Sequence, residues 1–466
     1  MSSLYERLKK WDRLGTGIFT VLLLVIGFLQ TCSLTFGRPV ISFVQWPTLA
    51  LGTVLFLERA ITFPYYRRTA GIYGWILFFI SFSVSMLLAA RYGLRDNLRI
   101  LVFMVFQVSL LYAGDRSEDP ALGRSRLRLT VGCFLAGVTL LTVMSFGTMV
   151  LGQSHIFFPA EGEDVPIYYV GFHHGRLFGV YWDPNIGSLC AATAFLLSLD
   201  LFIRRRKALT RVFAAFSMVL EVFYLAFSDS RTGALCLAAG CTVYVLFRLT
   251  AKRTGLALWK KTLLVVLAVA ATAAAAAALP GLIRKGSAAA IEYTQKNAAV
   301  APEKMISFER GYDLKGDVSN RRFDIWRGAM DVVREQPVFG VSRANILPYV
   351  DEHQPENYLV NNDHMRFDSM HNLYVEILVS QGAVGLILFL ASALFLAVPV
   401  LRRLRALATR RDDGLFALLT GVVAATLTAT AVLTEIVYVS SPVTVLFWIC
   451  AGVLDREVLR EKGAEK

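Results

Sequence analysis

The sequence has little charge and few cysteines, and both shortages exclude whole classes of protein. Only 18% of its 466 residues are Asp, Glu, Lys or Arg, whereas 55% are hydrophobic. A soluble domain of this length carries more charge and shorter apolar runs. The six cysteines are scattered and form no CxxC pair, so we expect neither a disulfide framework nor a zinc site. The chain also lacks a tandem repeat and a glycine-rich cofactor loop, so we expect no cofactor.

Long apolar runs dominate what remains, and the mean hydropathy is +0.53. A helix needs about 20 apolar residues to span a bilayer. We therefore predict an all-α polytopic membrane protein with about 12 transmembrane helices. The first run lacks a small-residue cleavage site and is predicted to be a signal anchor. The predicted spans are 15–36, 41–58, 72–90, 97–114, 129–151, 184–203, 210–228, 232–249, 262–279, 372–400, 413–436 and 440–454.

The basic residues indicate how these spans are oriented. Seven segments hold 30 of the 48 Lys and Arg residues: 5–13, 58–68, 115–128, 204–211, 247–261, 401–413 and 455–466. Cytoplasmic loops accumulate such residues. We therefore expect a multi-pass protein of the cytoplasmic membrane with both termini cytoplasmic. The net charge of +13 is explained by these loops, so the lipid bilayer is an expected partner and nucleic acid is not.

Two long connections are predicted on the outer side, and they divide the chain into three parts. Residues 1–279 would hold helices 1–9 with an outer connection at 152–183. Residues 280–370 would form a large outer loop that begins where Pro280 and Gly281 end the ninth span, and residues 371–466 would hold helices 10–12 and a cytoplasmic tail. The large loop contains 12 Lys and Arg against 13 Asp and Glu, so no general basic field can bind an anion there.

One segment of the large loop, 320–335, has apolar residues at helical spacing. An Asn occupies its cap position, and Pro337 and Gly340 follow its end. We therefore predict an amphipathic helix that lies on the membrane surface or against the bundle. Its expected apolar face consists of Phe323, Trp326, Ala329, Met330 and Val333.

Polar residues next to the predicted outer ends of the spans are the candidates for a site. Arg176 precedes the sixth span, and Asp183 and Asn185 flank Pro184 at its start, where they could simply cap the helix. Arg231 lies in a very short turn between two spans. An arginine there snorkels, pairs with a carboxylate such as Asp229, or binds an anionic ligand.

Further candidates lie around the tenth span. Arg321 and Arg322 begin the amphipathic helix, where at most one of them should face a site and the other is solvated. Ser369 is a plausible N-cap, which would place His371 in the first turn, with Asn372 and Glu376 nearby. The positive end of the helix dipole would keep His371 neutral, so that it could accept a proton. The alternative is a histidine with a purely structural role.

Arginines and a neutral histidine on one side of a membrane suggest a defined chemistry. Guanidinium groups match phosphate oxygens, and a neutral imidazole can act as a general base. We therefore expect a group transfer from a phospholipid-like donor, with a diphosphate as the leaving group and a hydroxyl as the acceptor.

Four stretches, GRLFGVYWDPNIGS, FSDSRTGAL, NRRFDIWRGAMDVVREQPVFGVSRAN and MHNLYVEILVSQGAVGLILFL, resemble the O-antigen ligase and Wzy-type O-antigen polymerase superfamily of bacterial polysaccharide assembly. The resemblance runs in order from about residue 170 to 395. It implies a GT-C-like membrane glycosyltransferase that uses an undecaprenyl-diphosphate-linked glycan at the outer leaflet without a metal ion. The acceptor would be a glycan or a lipid-linked molecule, and a chain-length regulator or a flippase would be the protein partner.

The resemblance also implies roles for individual residues. Arg176 and Arg231 match the arginines implied in diphosphate binding, His371 matches the proposed base, and Arg321 or Arg322 would support the donor. Asp183, Asn185, Asn372 and Glu376 would support these residues. Gln381 departs from the pattern, since many members have an acidic residue before the glycine.

Several functions remain open. We favour a polysaccharide polymerase that acts by a single inverting displacement. The alternatives within the class are an O-antigen ligase that uses lipid A core and a protein O-oligosaccharyltransferase. A twelve-helix transporter is the alternative outside the class, although few charges lie at mid-depth in the spans and no Gly/Pro-broken spans occur in matching halves.

Overall fold

The long apolar runs form long helices, as predicted, and the protein is an all-α polytopic membrane protein with one small sheet. The computed structural model describes residues 2–62, 66–67, 69–113, 120–157, 168–251, 256–297, 306–308, 321–362, 365–407 and 414–464. The helices before the large loop are α1 (Ser2–Thr31), α2 (Val40–Ile61), α3 (Ile72–Leu88), α4 (Arg95–Phe106, continued by a π-helical turn at Gln107–Tyr112), α5 (Pro120–Val150), α6 (Pro184–Arg204), α7 (Ala208–Ser228), α8 (Arg231–Ala251) and α9 (Leu258–Asn297). The large loop contains α10 (Arg322–Glu335) and α11 (Ile346–His353), and α12 (Leu373–Leu407), α13 (Leu415–Thr430) and α14 (Pro442–Ala464) follow it.

Each of the twelve predicted spans coincides with a helix. Among the described residues, eight helices are long and apolar enough to cross a membrane: α1, α2, α5, α6, α7, α8, α9 and α12. The shorter helices α3 and α13 are also apolar, while the predicted spans 97–114 and 440–454 overlap α4 with its π-helical turn and α14. The number of crossings and their orientation stay predictions.

The expected end of the ninth span at Pro280 is wrong. Helix α9 contains Pro280 in its interior and continues to Asn297. A proline removes one backbone donor but is tolerated in membrane helices, where neighbouring groups satisfy the freed carbonyl. The first part of the predicted loop 280–370 is therefore helical, and residues beyond Pro280 remain attached to the helix bundle.

The predicted connection 152–183 contains a small antiparallel sheet in the order β1 (His155–Phe157), β2 (Tyr168–His173) and β3 (Arg176–Gly179). Residues 158–167 lie outside the described residues. The sheet is attached to the bundle through Val180, whose N–H binds Ser145 Oγ at 3.0 Å and whose carbonyl accepts from Ser33 N at 2.8 Å. This attachment fixes the strand that carries Arg176.

The amphipathic helix exists as α10, and of its predicted apolar face Ala329 is buried, Trp326, Met330 and Val333 pack against the same core, and only Phe323 departs. Ile325, Ala329 and Val332 are buried, whereas Phe323 is 64% exposed. The expected cap Asn320 lies outside the described residues, and Arg321 occupies the N-cap position with a left-handed φ of 64°. The buried residues of α10 share a second hydrophobic core with residues of α11 and α12, so the helix packs against the bundle.

A break in α12 attaches the large loop to the bundle. Gly382 has a φ of 64° and a ψ of −165°, which interrupts the helix. The loop fills the gap: Ala383 N donates to Pro337 O at 2.8 Å, and Val341 N donates to Val379 O at 3.0 Å. Because these bonds lie between α10 and α12, they fix the start of α12 relative to the loop.

Candidate active site

Arg176 lies at the start of β3, directly after a tight hairpin turn. The two turn residues, His174 and Gly175, both have positive φ, at 49° and 71°, as two-residue hairpin turns require. Arg176 Nε donates to Ser228 O at 2.7 Å, and its Nη2 donates to Asn185 Oδ1 at 3.2 Å. Arg176 therefore connects the sheet to the end of α7 and the start of α6.

Asp183 caps the start of α6, as the alternative considered from the sequence has it, whereas the side chain of Asn185 does not cap the helix. Asp183 Oδ1 accepts from Asn185 N at 2.7 Å, and Pro184 is the first residue of the helix. Asn185 also has a second partner, because its Oδ1 accepts from Ser230 Oγ at 2.9 Å. These bonds link the segment that contains Arg176 to the turn that contains Arg231.

Arg284 joins the same two segments, and the sequence analysis missed it because α9 was expected to end at Pro280. Its Nη2 donates to Gly175 O at 2.7 Å and lies 3.8 Å from Asp229 Oδ2. Its Nη1 donates to Phe227 O at 3.4 Å. Asp229 therefore forms an ion pair with Arg284, which is distant in the sequence. From the sequence, Arg231 was the partner considered for Asp229.

Arg322 faces Arg231 and Asp183, and its surroundings disfavour its charge. Burial lowers the pKa of the half-buried Arg322 guanidinium, Asp183 raises it, and the like charge of Arg231 lowers it again. Among the described residues, no hydrogen bond or ion pair engages the Arg322 side chain. Arg321, by contrast, occupies the left-handed cap position. Of the two adjacent arginines, Arg322 is thus the one whose charge acts on the other candidates.

His371 lies before α12, so its predicted place in the first turn is wrong. Asn372 is the residue that caps the helix, because its Oδ1 accepts from Tyr374 N at 2.9 Å. Ser369 was expected to cap, but its Oγ accepts from His371 N at 3.3 Å instead. His371 has a left-handed φ of 47°, which is uncommon for a residue with a side chain.

The surroundings of His371 lower its pKa, and burial rather than the helix dipole is the main cause. Burial is the largest effect and lowers the pKa of His371, and the nearby Arg322 lowers it further. The negative charges of Asp183, Glu376 and Asp368 act in the opposite direction. The imidazole makes no hydrogen bond to any residue within the described ranges.

Glu376 is fully buried and organises the segment before α12. Its Oε2 accepts from Met370 N at 2.8 Å and from Thr434 Oγ1 at 2.8 Å. Its Oε1 lies 2.7 Å from Arg343 Nε in an ion pair. The supporting role expected for Glu376 therefore has a definite geometry, and it involves two residues, Arg343 and Thr434, that the sequence analysis did not single out.

Four helices begin at residues of this site. Asp183 caps α6, Arg231 is the first residue of α8, Arg321 and Arg322 begin α10, and Asn372 caps α12. The N-terminus of a helix attracts anions because its backbone N–H groups and its dipole are positive. The arrangement can therefore bind a phosphate-like anion next to a neutral imidazole.

Gln381, which departs from the family pattern, has a structural environment. It is fully buried directly before the break at Gly382, and its Nε2 donates to the hydroxyl of Tyr438. The side chain thereby ties the break in α12 to the connection between α13 and α14. The buried carboxylate nearest to His371 along α12 is that of Glu376, one turn earlier than Gln381.

Comparison with protein families bears on the same region. Residues 216–390 match the model of the O-antigen ligase family, Wzy_C. The matched range covers 175 of the 466 residues. The resemblance predicted from the sequence is thereby confirmed over this range, and it supports a multi-pass membrane enzyme of the O-antigen ligase or polymerase type. No curated protein matches the chain.

The residues that match the O-antigen ligase family do not include the whole candidate site. Arg231, Arg322 and His371 lie within the matched residues, whereas Arg176 and Asp183 precede them. The hydrogen bonds of Arg176 to Ser228 and Asn185 connect the two parts.

Proposed function

We propose that the protein transfers an oligosaccharide from an undecaprenyl-diphosphate donor to an acceptor hydroxyl at the outer face of the cytoplasmic membrane. One observation carries the proposal. Arg322 and His371 are half-buried, the charge of Arg322 acts on His371, and neither side chain has a hydrogen-bond partner among the described residues. The cation of Arg322 beside the neutral base His371 suits a substrate that has an anionic group and a hydroxyl proton to give up. The match to the O-antigen ligase family supports this reading.

The arginines would bind the diphosphate of the donor. Arg322 and Arg231 repel each other, and an anion between them would relieve that repulsion. Guanidinium groups bind phosphate oxygens through two parallel hydrogen bonds, and they stabilise the leaving group where its negative charge increases. Arg176 holds the backbone of the turn that leads to Arg231 and adds positive charge, and Arg321 supports the start of α10.

His371 would act as the general base in a single displacement. The acceptor oxygen attacks the anomeric carbon and forms the new glycosidic bond. The bond from that carbon to the diphosphate oxygen breaks, and its electron pair leaves with the lipid diphosphate. The imidazole takes the proton of the acceptor hydroxyl. Attack opposite the leaving group inverts the anomeric centre, and in this proposal the guanidinium groups supply the positive charge, without a metal ion.

We propose a second lipid-linked repeat unit as the acceptor, which makes the protein a polysaccharide polymerase. A chain-length regulator or a flippase is then the expected protein partner. A transporter is a weaker candidate, because the site residues lie at helix starts, in the residues just before them or in connections between elements. A carrier binds its substrate near the middle of the bilayer, at the interface of its repeats.

The test uses the purified full-length protein in lipid nanodiscs with lipid-diphosphate oligosaccharides extracted from its host. Elongated lipid-linked chains support the polymerase, and glycan on lipid A core or on protein identifies the corresponding alternative acceptor. Solute movement in proteoliposomes without any glycosidic product would refute glycosyl transfer.

The assignment of His371 has its own variant and control. We expect His371→Ala to abolish transfer while the protein still inserts into the membrane. The matched control is His353→Ala, since His353 is an exposed residue of α11 that stacks on Tyr349. Normal product length from His371→Ala would refute the role of the imidazole as the base.

A further inference from the structure

The backbone around His371 is held from two sides. Its left-handed φ of 47° is costly for a residue with a side chain, so neighbouring groups must stabilise it. The preceding residue, Met370, supplies both contacts. Its N–H donates to Glu376 Oε2 at 2.8 Å, and its carbonyl accepts from Trp326 Nε1 at 2.9 Å. Side chains of α12 and α10 therefore fix the peptide groups that set the direction of the imidazole.

Glu376 can hold this backbone only if its own carboxylate is compensated. Its side chain is 0% exposed, and that of Arg343 is 15% exposed. A buried carboxylate without a partner is strongly destabilising and would take up a proton. The ion pair with Arg343 at 2.7 Å and the bond from Thr434 at 2.8 Å compensate the Glu376 carboxylate, whose Oε2 accepts from the Met370 N–H.

Arg343 is held in turn by a buried asparagine of α4. Asn97 Oδ1 accepts from Ser342 Oγ at 2.8 Å and from Ala344 N at 2.9 Å, the two residues on either side of Arg343. The amide of Asn97 donates to Asn345 Oδ1 at 2.9 Å. Asn97 is fully buried, so this clamp lies inside the protein. Asn97 of α4 thus fixes the backbone on both sides of Arg343, the ion pair links Arg343 to Glu376, and Glu376 binds the backbone beside His371.

We propose that the buried Arg343–Glu376 ion pair is a positioning device for His371: it holds the imidazole beside Arg322 and Asp183, where an acceptor hydroxyl can reach it. The inference rests on the proposed role of His371 as the base. It assigns to Arg343 and Glu376 no contact with the donor, because the arginines proposed for the diphosphate lie on β3, α8 and α10. Loss of the pair should therefore impair the chemical step and leave donor binding intact.

The decisive variant is Glu376→Gln. We expect kcat to fall by about 10²-fold, since misplacing a catalytic group by roughly 1 Å has effects of this size, and the donor KM to change by less than about threefold. The acid limb of the kcat/KM profile should move to lower pH, because the charge of Glu376 raises the pKa of His371 while Asp183, Asp368 and Arg322 remain. A merely structural role would lower the amount of folded protein without moving this limb.

The matched control is Asp351→Asn, which removes an ion pair with Arg366 whose two side chains are 43% and 41% exposed. It should leave kcat and the pH profile unchanged. If Glu376→Gln does not accumulate in membranes, Thr434→Val tests the same idea, since it removes one bond to Glu376 and keeps both charges. Its kcat should fall by about tenfold at unchanged donor KM, as expected for a hydrogen bond to a charged group.

The outcomes separate the two proposals. Wild-type kcat and acid limb in Glu376→Gln, or wild-type kcat in Thr434→Val, would overturn the positioning role even if His371→Ala is inactive. A large increase of the donor KM at constant kcat would also overturn it, because the pair would then belong to the donor site. Full activity of His371→Ala would instead refute the proposed function on which the inference depends.

Discussion

Replacing Arg322 by glutamine should separate the anion site from the fold. The environment of Arg322 disfavours its charge, because the side chain is half-buried and the charge of Arg231 acts on it. A lowered pKa means that the folded protein holds the cation less favourably than water does. Glutamine removes that cation without removing a hydrogen bond or ion pair to any described residue. Arg322→Gln should therefore leave the thermal stability of the protein unchanged or slightly raised.

The same substitution should strongly reduce activity. If Arg322 binds the departing diphosphate, its loss removes a charged donor from the position where negative charge develops. Loss of one such donor lowers kcat by roughly 10²–10³-fold, or about 2.7–4 kcal/mol. Arg322→Lys should recover only part of this, because an ammonium group keeps the charge but lacks the planar fork that binds two oxygens. A stable but inactive variant is the expected combination.

The assay combines turnover of a lipid-diphosphate oligosaccharide in nanodiscs with the melting temperature of the same preparation. Arg321→Gln is the matched control. It removes an adjacent charge, and glutamine tolerates the left-handed φ of 64° no better and no worse than arginine does. Its kcat should stay within about threefold of wild type, because Arg321 supports the helix start and not the leaving group. Equal losses of kcat in both variants, or a large drop of melting temperature in Arg322→Gln alone, would refute the reasoning.

Further predictions concern the fold around the site and its pH dependence. Gly382→Ala should lower the melting temperature sharply, since Gly382 has a φ of 64° and an added Cβ would lie 2.2 Å from the loop backbone. The control Gly281→Ala adds a Cβ in open space within α9, so its melting temperature should be unchanged or higher. Asn372→Ala removes the cap of α12 and should cost about 1 kcal/mol in chemical denaturation. Because the pKa of His371 lies below its ordinary value of 6.5, kcat/KM should be constant near pH 7 and fall only at more acidic pH; an acid limb above pH 6.5 would contradict this.

Local signals predicted the parts of the site that local structure determines. The sequence Asp183-Pro184-Asn185 predicts a capped helix start, and α6 begins there with the expected bond between Asp183 and Asn185. The apolar spacing of 320–335 predicts α10 to within two residues. Four of the five predicted apolar residues are buried or pack against the core, but Phe323 is 64% exposed, and Ile325, which the prediction omitted, is buried against residues of α11 and α12.

Long-range contacts account for what the sequence could not indicate. Arg284 donates to Gly175, which lies 109 positions away in the chain. Arg343 forms an ion pair with Glu376, and no periodicity of the sequence indicates this contact. Local rules also favoured Ser369 as the cap before His371. The tertiary contacts of Met370 with Glu376 and Trp326 instead start the helix at Leu373.

The arginines of the site divide into two kinds, and the division explains why the site spans more than the matched domain. Arg176 and Arg284 donate to backbone carbonyls at the end of α7 and in the hairpin turn, so much of their hydrogen-bonding capacity stabilises the turn before Arg231. Arg322 makes no such bond within the described residues and is repelled by Arg231. Arg176 and Arg284 thus hold Arg231 in place opposite Arg322. Because Arg176 and Asp183 precede residue 216, the range that matches the O-antigen ligase family contains Arg284 but lacks Arg176 and the carboxylate that acts on Arg322 and His371. Under the proposed function, the diphosphate of the donor would supply the anion for Arg322, which has no hydrogen-bond or ion-pair partner among the described residues.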